Sequence, residues 1–367
     1  MDNQTELYGK NEADIRERKP KMAICYDFDR TLSPDDMQTF TLIPSFGIDK
    51  DQFWADSNEL AKNNRMDRNL AWMYELVRYS EFKSKSLKRE YFKDSGAKVQ
   101  LYKGVRSWFK RMDEYAEKKG IELEHYIISS GLKEIIEGSE IAPYFKRIYA
   151  STYLYSTDGV AKWPAQAINY TNKTQFIFRI AKGCLEEYDE RVNDSMPDED
   201  LRIPYENIVY IGDSDTDIPC MRLVKSRGGY SVGVFDPDKD DRSRVYQLFN
   251  DGRLSFYAPA DYSRNSQIAK YMKQIMDEIS AKESIKKECK ILKQPAELYK
   301  TMKNIEKLLR SDPGVIKPKE KRDLEKNGKC FGRDHSRQYP IRRRAMRNSP
   351  LLPISPKPSV HGTEEMG

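Results

Sequence analysis

Met22-Ala23-Ile24-Cys25-Tyr26-Asp27-Phe28-Asp29-Arg30-Thr31 sets a run of apolar residues directly before two aspartates. A near-continuous apolar run of this length suits a strand covered on both faces, as in a parallel sheet. Two other stretches have the same form. His125-Tyr126-Ile127-Ile128 runs into Ser129, and Ile208-Val209-Tyr210-Ile211-Gly212 runs into Asp213. Helical patterns lie between them, such as residues 105–112 leading toward Gly120. Alternating strands and helices imply an α/β fold, a doubly wound, Rossmann-like parallel sheet with right-handed crossovers. Sites in such sheets lie at the carboxyl ends of strands. Asp27, Ser129 and Asp213 all take that place.

Between Thr31 and the second strand lie roughly 90 residues, far more than one crossover helix requires. Leu70, Met73, Tyr74 and Val77 have helical spacing, and Phe53, Trp54, Leu60 and Ala61 mark another amphipathic segment. Residues 36–100 are therefore expected to form a small helical domain inserted, after the first strand, into a core domain of residues 21–35 and 101–282. Around Asp158-Gly159, the aromatic and β-branched residues Ser151–Tyr155 and Val160–Trp163 signal a hairpin. A last strand is expected at Tyr230–Phe235, then a helix over 263–281. Residues 283–312 are expected to be C-terminal helices, broken at Pro295. Residues 1–20 read as a polar N-terminal segment, and 313–367 as a basic, disordered tail.

Composition narrows the chemistry. The five cysteines, Cys25, Cys184, Cys220, Cys289 and Cys330, contain no C-x-x-C pair, which argues against a zinc site or a disulfide scaffold. Of the three histidines, His335 and His361 lie in the tail. The carboxylates are left to carry the chemistry. Residues 311–367 hold 13 Lys and Arg against 7 Asp and Glu, which accounts for the chain's whole net charge of +6. The globular part thus has no general basic bias toward nucleic acid. No run approaches the ~18 apolar residues of a membrane span. The polar N-terminus has no secretory signal pattern, so a cytoplasmic location is the default expectation.

Two carboxylates two residues apart, where a strand runs into a loop, can face one site. One of the Asp27 and Asp29 pair could attack phosphorus to give an aspartyl-phosphate. The other could protonate the leaving oxygen and then activate water. Asp213, in Gly212-Asp213-Ser214-Asp215-Thr216-Asp217, would join Asp27 in holding magnesium, a hard cation that takes oxygen ligands. Asp215 and Asp217 read equally well as helix caps. Ser129-Ser130-Gly131 could cradle a phosphoryl group with a hydroxyl and the free N–H groups of a helix start. Lys173 could neutralise that group, although one lysine among so many is arbitrary on its own.

Order removes the arbitrariness. DFDRT at 27–31, IISSG at 127–131, NKT at 172–174 and GDSDTD at 212–217 resemble, in sequence, the signature of the haloacid dehalogenase superfamily. The resemblance spans about residues 20–260. It is nearest to the branch containing phosphoserine phosphatases, whose helical cap lies between the first and second motifs. It implies that Asp27 is nucleophile and metal ligand. Asp29 would be the acid/base and would ligate magnesium through its backbone carbonyl. Ser129, Ser130, Gly131 and Lys173 would bind the phosphoryl group, and Asp213 would complete the Mg2+ site. Asp217, counted with the metal site, would orient metal-bound water or Lys173. Asp29 marks a phosphohydrolase, since dehalogenase-type members lack that acid/base. Arg30 departs from the small residue that many relatives have there.

The expected activity is that of a magnesium-dependent phosphatase acting on a small phosphorylated metabolite. Three alternatives stay open at this point. A phosphotransferase or mutase could use the same intermediate, a nucleic-acid-end phosphatase could use the basic tail, and a phosphate-binding regulatory module would not turn over. Charge runs such as Arg342-Arg343-Arg344 are more often simply solvated, and nucleic acid is the lesser reading. Arg65, Asp67 and Arg68 in the cap, or Tyr153, Tyr155 and Trp163 on the hairpin, are candidates for choosing the substrate. A solvated turn and core packing are the stronger readings of those two groups. Oligomeric state is not legible.

Overall fold

Alternation along the quoted strands shows how the sheet is covered. In Lys21–Tyr26 (β1), Met22, Ile24 and Tyr26 join one apolar cluster, while Ala23 and Cys25 join the other. Every one of these side chains is buried. In Ile208–Gly212 (β5), Val209 and Ile211 face the first cluster, Ile208 and Tyr210 the second. A strand with both faces dry has no polar alternation to show, which is why the sequence reads as an unbroken apolar run.

The computed structural model describes residues 15–239 and 241–311. The chain divides into two compact units, Lys10–Leu298 and the segments Met1–Gly9 and Tyr299–Gly367. Within the second unit only 299–311, the last turns of a helix, are described.

After β1 come α1 (Met37–Phe40), α2 (Leu42–Ser45), α3 (Lys50–Asn64), α4 (Arg68–Phe82) and α5 (Arg89–Gly96), then α6 (Val105–Lys118). They are followed by β2 (Glu122–Leu132), α7 (Lys133–Glu137), β3 (Phe145–Tyr155), β4 (Ala161–Gln166) and α8 (Thr174–Lys182). The chain continues through β5, α9 (Ile218–Ser226), β6 (Tyr230–Phe235), α10 (Ser243–Asn250), β7 (Phe256–Pro259) and α11 (Gln267–Ser311). The sheet has the order β4-β3-β2-β1-β5-β6-β7, parallel except for β4, which pairs antiparallel with β3 as the hairpin signal predicts. Because β1 lies between β2 and β5, the ends of the three quoted strands are neighbours.

Local chemistry sets the element ends. Asp49 and Asp67 cap α3 and α4 by accepting the first free N–H groups. Gly104 enters α6 at φ +83°, where a Cβ would stand 2.4 Å from the Ser263 nitrogen, so glycine is required. His125 is a core residue: its ring bonds the Tyr26 hydroxyl and Asp113, each at 3.0 Å, and Trp108 donates to the same Tyr26 oxygen. The described cysteines are all free, with Cys25, Cys184 and Cys220 buried and Cys289 exposed.

Three expectations need correction. Tyr230–Phe235 is not the last strand, because the four-residue β7 pairs beyond it, too short and too close to Pro259 to read as a strand. No break occurs at Pro295: α11 runs through it. Proline forfeits the bond to the Ile291 carbonyl, but its fixed φ is itself helical. The second strand does not end at Ser129 but continues to Leu132. Cys330, His335, His361 and the tail at 313–367 lie outside the described residues, as does most of the segment 1–20. No described helix is long and apolar enough to cross a membrane.

Candidate active site

Asp27 is the first residue past β1, and its N–H donates to the Ile211 carbonyl of β5 at 2.9 Å. That bond holds the end of β1 against the end of β5, where Asp213 follows. One carboxylate oxygen from each of Asp27, Asp213 and Asp217 lies within 4.8 Å of the others. Lys173, wholly buried ahead of α8, reaches into the group from the other side of the chain. Its Nζ stands 2.7 Å from Asp217 Oδ1 and 3.2 Å from Asp27 Oδ1. The first contact is a hydrogen bond; the second is an ion pair without hydrogen-bond alignment.

Asp217 is spoken for on both oxygens. Oδ1 takes Lys173 and the Tyr210 hydroxyl at 2.6 Å, and Oδ2 takes the Ser214 N–H and hydroxyl. It belongs to the carboxylate cluster by distance, yet its hydrogen bonds are those of an anchor for Lys173. Among the described residues, Asp213 accepts one weak bond, from Thr31 Oγ1 at 3.3 Å. Asp29 lies outside this cluster of side-chain oxygens, with Oδ1 accepting the Met37 N–H at 2.8 Å at the start of α1. Its Oδ2 is 2.8 Å from the point where a Cβ on Gly131 would sit, so that glycine lets the two motifs approach.

Ser129 to Gly131 are presented by a bulge rather than by a helix start. Ile128 pairs with Tyr149 and Leu132 with Ser151, so four steps on β2 match two on β3. Gly131 N–H is not free, since it donates to Ser129 Oγ at 3.1 Å. That bond leaves the Ser129 hydroxyl proton available, and the buried Ser130 Oγ has no hydrogen-bond partner among the described residues.

The electrostatics follow from burial. Desolvation, reinforced by Asp217 and opposed by Lys173, pushes the Asp27 carboxyl up to about 7. Desolvation with Asp36 and Asp27 nearby raises Asp29 well above its usual range, and desolvation with Asp217 and Asp27 does the same to Asp213. Burial works against a charged Lys173, but Asp217 and Asp27 outweigh it and keep the ammonium above its ordinary range. Crowded carboxylates that resist ionising together, with a buried Asp27 oxygen lacking a hydrogen bond, are a donor set that fits a hard divalent cation.

Other sequence candidates fall elsewhere. Asp67 caps α4 and Arg65 takes the left-handed position closing α3, so that charged cluster is a turn. Tyr153 is buried with its hydroxyl on the Met73 carbonyl, Tyr155 lies under Arg89, and Trp163 is 69% exposed on the edge hairpin. Arg30 adopts φ +57° and pairs with Asp36 at 2.8 Å. A left-handed conformation is natural for glycine and costs another residue about 1–2 kcal/mol. The sequence reading gave Tyr210 no role at the site. Tyr210 sits inside a strand that reads as purely apolar, and nothing in its spacing reports the hydroxyl's partner.

Known proteins similar to this chain include both a curated relative and solved structures. An uncharacterized protein of Borreliella burgdorferi is 25% identical over 278 residues, covering 69% of this chain and 96% of that relative. Among solved structures, a substrate-bound phosphoserine phosphatase complex matches with a TM-score of 0.44 at 14% identity, over 69% of this chain and 99% of its own. A probable phosphoserine phosphatase from Vibrio cholerae matches at 0.46 and 10%, over 73% and 69%. A haloacid dehalogenase family hydrolase from Salmonella enterica serovar Typhi matches at 0.42 and 16%, over 63% and 73%. The model of the haloacid dehalogenase-like hydrolase family matches residues 24–222, more than half the chain and all four motifs, and the chain belongs to that family.

Proposed function

We propose that this chain is a magnesium-dependent phosphatase that hydrolyses a small phosphomonoester through an aspartyl-phosphate on Asp27. The observation that carries this reading is Lys173 held between Asp27 and Asp217, with Asp213 alongside. A buried ammonium beside a buried carboxylate keeps a nucleophile ionised and meets the charge of a phosphoryl group.

Asp27 and Asp213 would hold the ion, which when bound supplies neutralising charge to the phosphoryl oxygens. Asp27 attacks phosphorus, and the bond to the leaving oxygen breaks as Asp29 gives that oxygen its proton. Asp29, now a carboxylate, takes a proton from water, which attacks the phosphorus of the acyl phosphate and frees Asp27. Asp29 suits this part because desolvation, with Asp36 and Asp27 nearby, raises its carboxyl well above the usual range and so favours the acid form. Ser129 and Ser130 offer hydroxyl donors and Lys173 a charge to the transferring group. The helices over 36–100 would act as the cap above this site.

Phosphate release from an aryl phosphate tests the reading directly. It should require magnesium, stop with EDTA, and vanish in Asp27→Asn. Turnover that survives in Asp27→Asn would sink the mechanism, and transfer of phosphate to an added alcohol in place of water would make the chain a phosphotransferase.

A further inference from the structure

A cavity of about 380 Å³ opens beside Asp213, at the lower end of the range for small-molecule pockets. Arg30 and Asp213 line it, together with the apolar Val234, Phe235 and Val245. Tyr102 lines it as well, and is only 8% exposed. Its N–H is fixed to the Leu32 carbonyl, just past the Asp27 loop. Its hydroxyl is buried and has no hydrogen-bond partner among the described residues. An unsatisfied buried hydroxyl costs ~1–3 kcal/mol, a cost that a ligand oxygen would remove once the Tyr102 side chain turned toward it.

The described cations around the cavity are already paired. Arg30 pairs with Asp36, Lys239 with Asp236, and Arg244 with Asp215. Asp241 is occupied in capping α10 through the Ser243 N–H and hydroxyl. Among the described residues, a second phosphate or a carboxylate entering here would find no unpaired cation. The paired carboxylates and cations still have open hydrogen-bonding positions. Hydroxyl groups, which donate and accept, can use both kinds, while the C–H faces of their carbon chain lie on the valines and Phe235.

We infer that this cavity binds the organic part of the substrate, and that this part is a hydroxylated carbon chain: a monosaccharide or polyol phosphate. Tyr102 is the specificity residue, giving a ligand hydroxyl its buried partner. The inference rests on the phosphatase reading above.

The test uses the full chain with magnesium and four substrates: glucose 6-phosphate, glycerol 3-phosphate, phosphoserine and 4-nitrophenyl phosphate. Wild type should favour one of the two hydroxylated phosphates over phosphoserine by at least about tenfold in kcat/KM. Tyr102→Phe should lower that preferred kcat/KM about tenfold more than it lowers the value for 4-nitrophenyl phosphate, mainly through KM. In Asp27→Asn, calorimetric binding of the preferred phosphate should weaken when Tyr102→Phe is added. Preference for phosphoserine, or a Tyr102→Phe effect that is equal on all four substrates or absent, overturns the inference while leaving the phosphatase reading intact. A wild type that releases phosphate from none of them removes both. Glucose 6-phosphate against glycerol 3-phosphate separates the sugar from the polyol.

Discussion

Lys173 and Asp217, 44 residues apart in sequence, form a hydrogen-bonded ion pair at 2.7 Å in which neither side chain is exposed. Such pairs contribute little net stability, since desolvation offsets their attraction, but breaking one leaves a bare buried charge. Lys173→Met should therefore cost about 3–5 kcal/mol in urea unfolding. It should also lower kcat by roughly 10²–10³-fold, the scale of losing one transition-state donor. A Lys173→Met protein with wild-type kcat would remove lysine from the mechanism.

Asp29 is enclosed beside Asp36 and Asp27 and keeps its proton well above the usual carboxylate range. General acids contribute about 10²–10⁴-fold where the leaving group needs protonation. Asp29→Asn should lose that factor on an alkyl phosphate and much less on 4-nitrophenyl phosphate, whose leaving group departs without a proton. Comparing kcat for the two esters checks this; equal losses would place Asp29 in another part of the reaction.

Asp27 and Asp213 are both raised by desolvation and by neighbouring carboxylates. A divalent ion bound there would relieve that crowding and stabilise the folded state by about 2.7 kcal/mol at a hundred times its Kd. Magnesium should accordingly raise the melting temperature by roughly 5–10 °C. Asp213→Asn should lose this shift, yet melt no lower than wild type in EDTA. Differential scanning fluorimetry with and without magnesium reads both outcomes.

At the opposite end of β2, burial raises the Glu124 carboxyl, but hydrogen bonds from Arg202 and Tyr126 and the charges of Arg202 and Lys146 win and hold it at about 2. A folded value below the unfolded one gives stability that is complete above pH 4.5 and lost as pH falls toward 2. Glu124→Gln should destabilise the protein at pH 7 by about 2 kcal/mol and flatten the acid limb of its stability curve between those values. A variant whose stability still falls as steeply over that range would put the acid sensitivity elsewhere.

Arg30 shows how local and tertiary information differ. The sequence marks it as a departure from a small residue, but only the fold reveals a left-handed backbone there and a side chain tied to Asp36. Ser129 to Gly131 make the same point. Their place after an apolar run was readable, whereas the bulge that presents them depends on the register with β3. Registers arise from pairing between distant strands, and a one-dimensional pattern carries no record of them.

By itself the sequence determined the strands that end in Asp27 and Asp213, the helical character of the intervening segment, the hairpin and the four family motifs. These are properties of near neighbours: apolar period, turn residues, and functional residues fixed to strand ends. Tertiary structure decided that Asp217 receives Tyr210 and Ser214 as well as Lys173, that His125 is a core residue, and that Tyr102 closes one side of a cavity by Asp213. The reason is that a hydroxyl, an imidazole or a carboxylate gains its role from the partner it meets after burial. For Tyr102 and Asp213 those two residues lie more than a hundred positions apart along the chain.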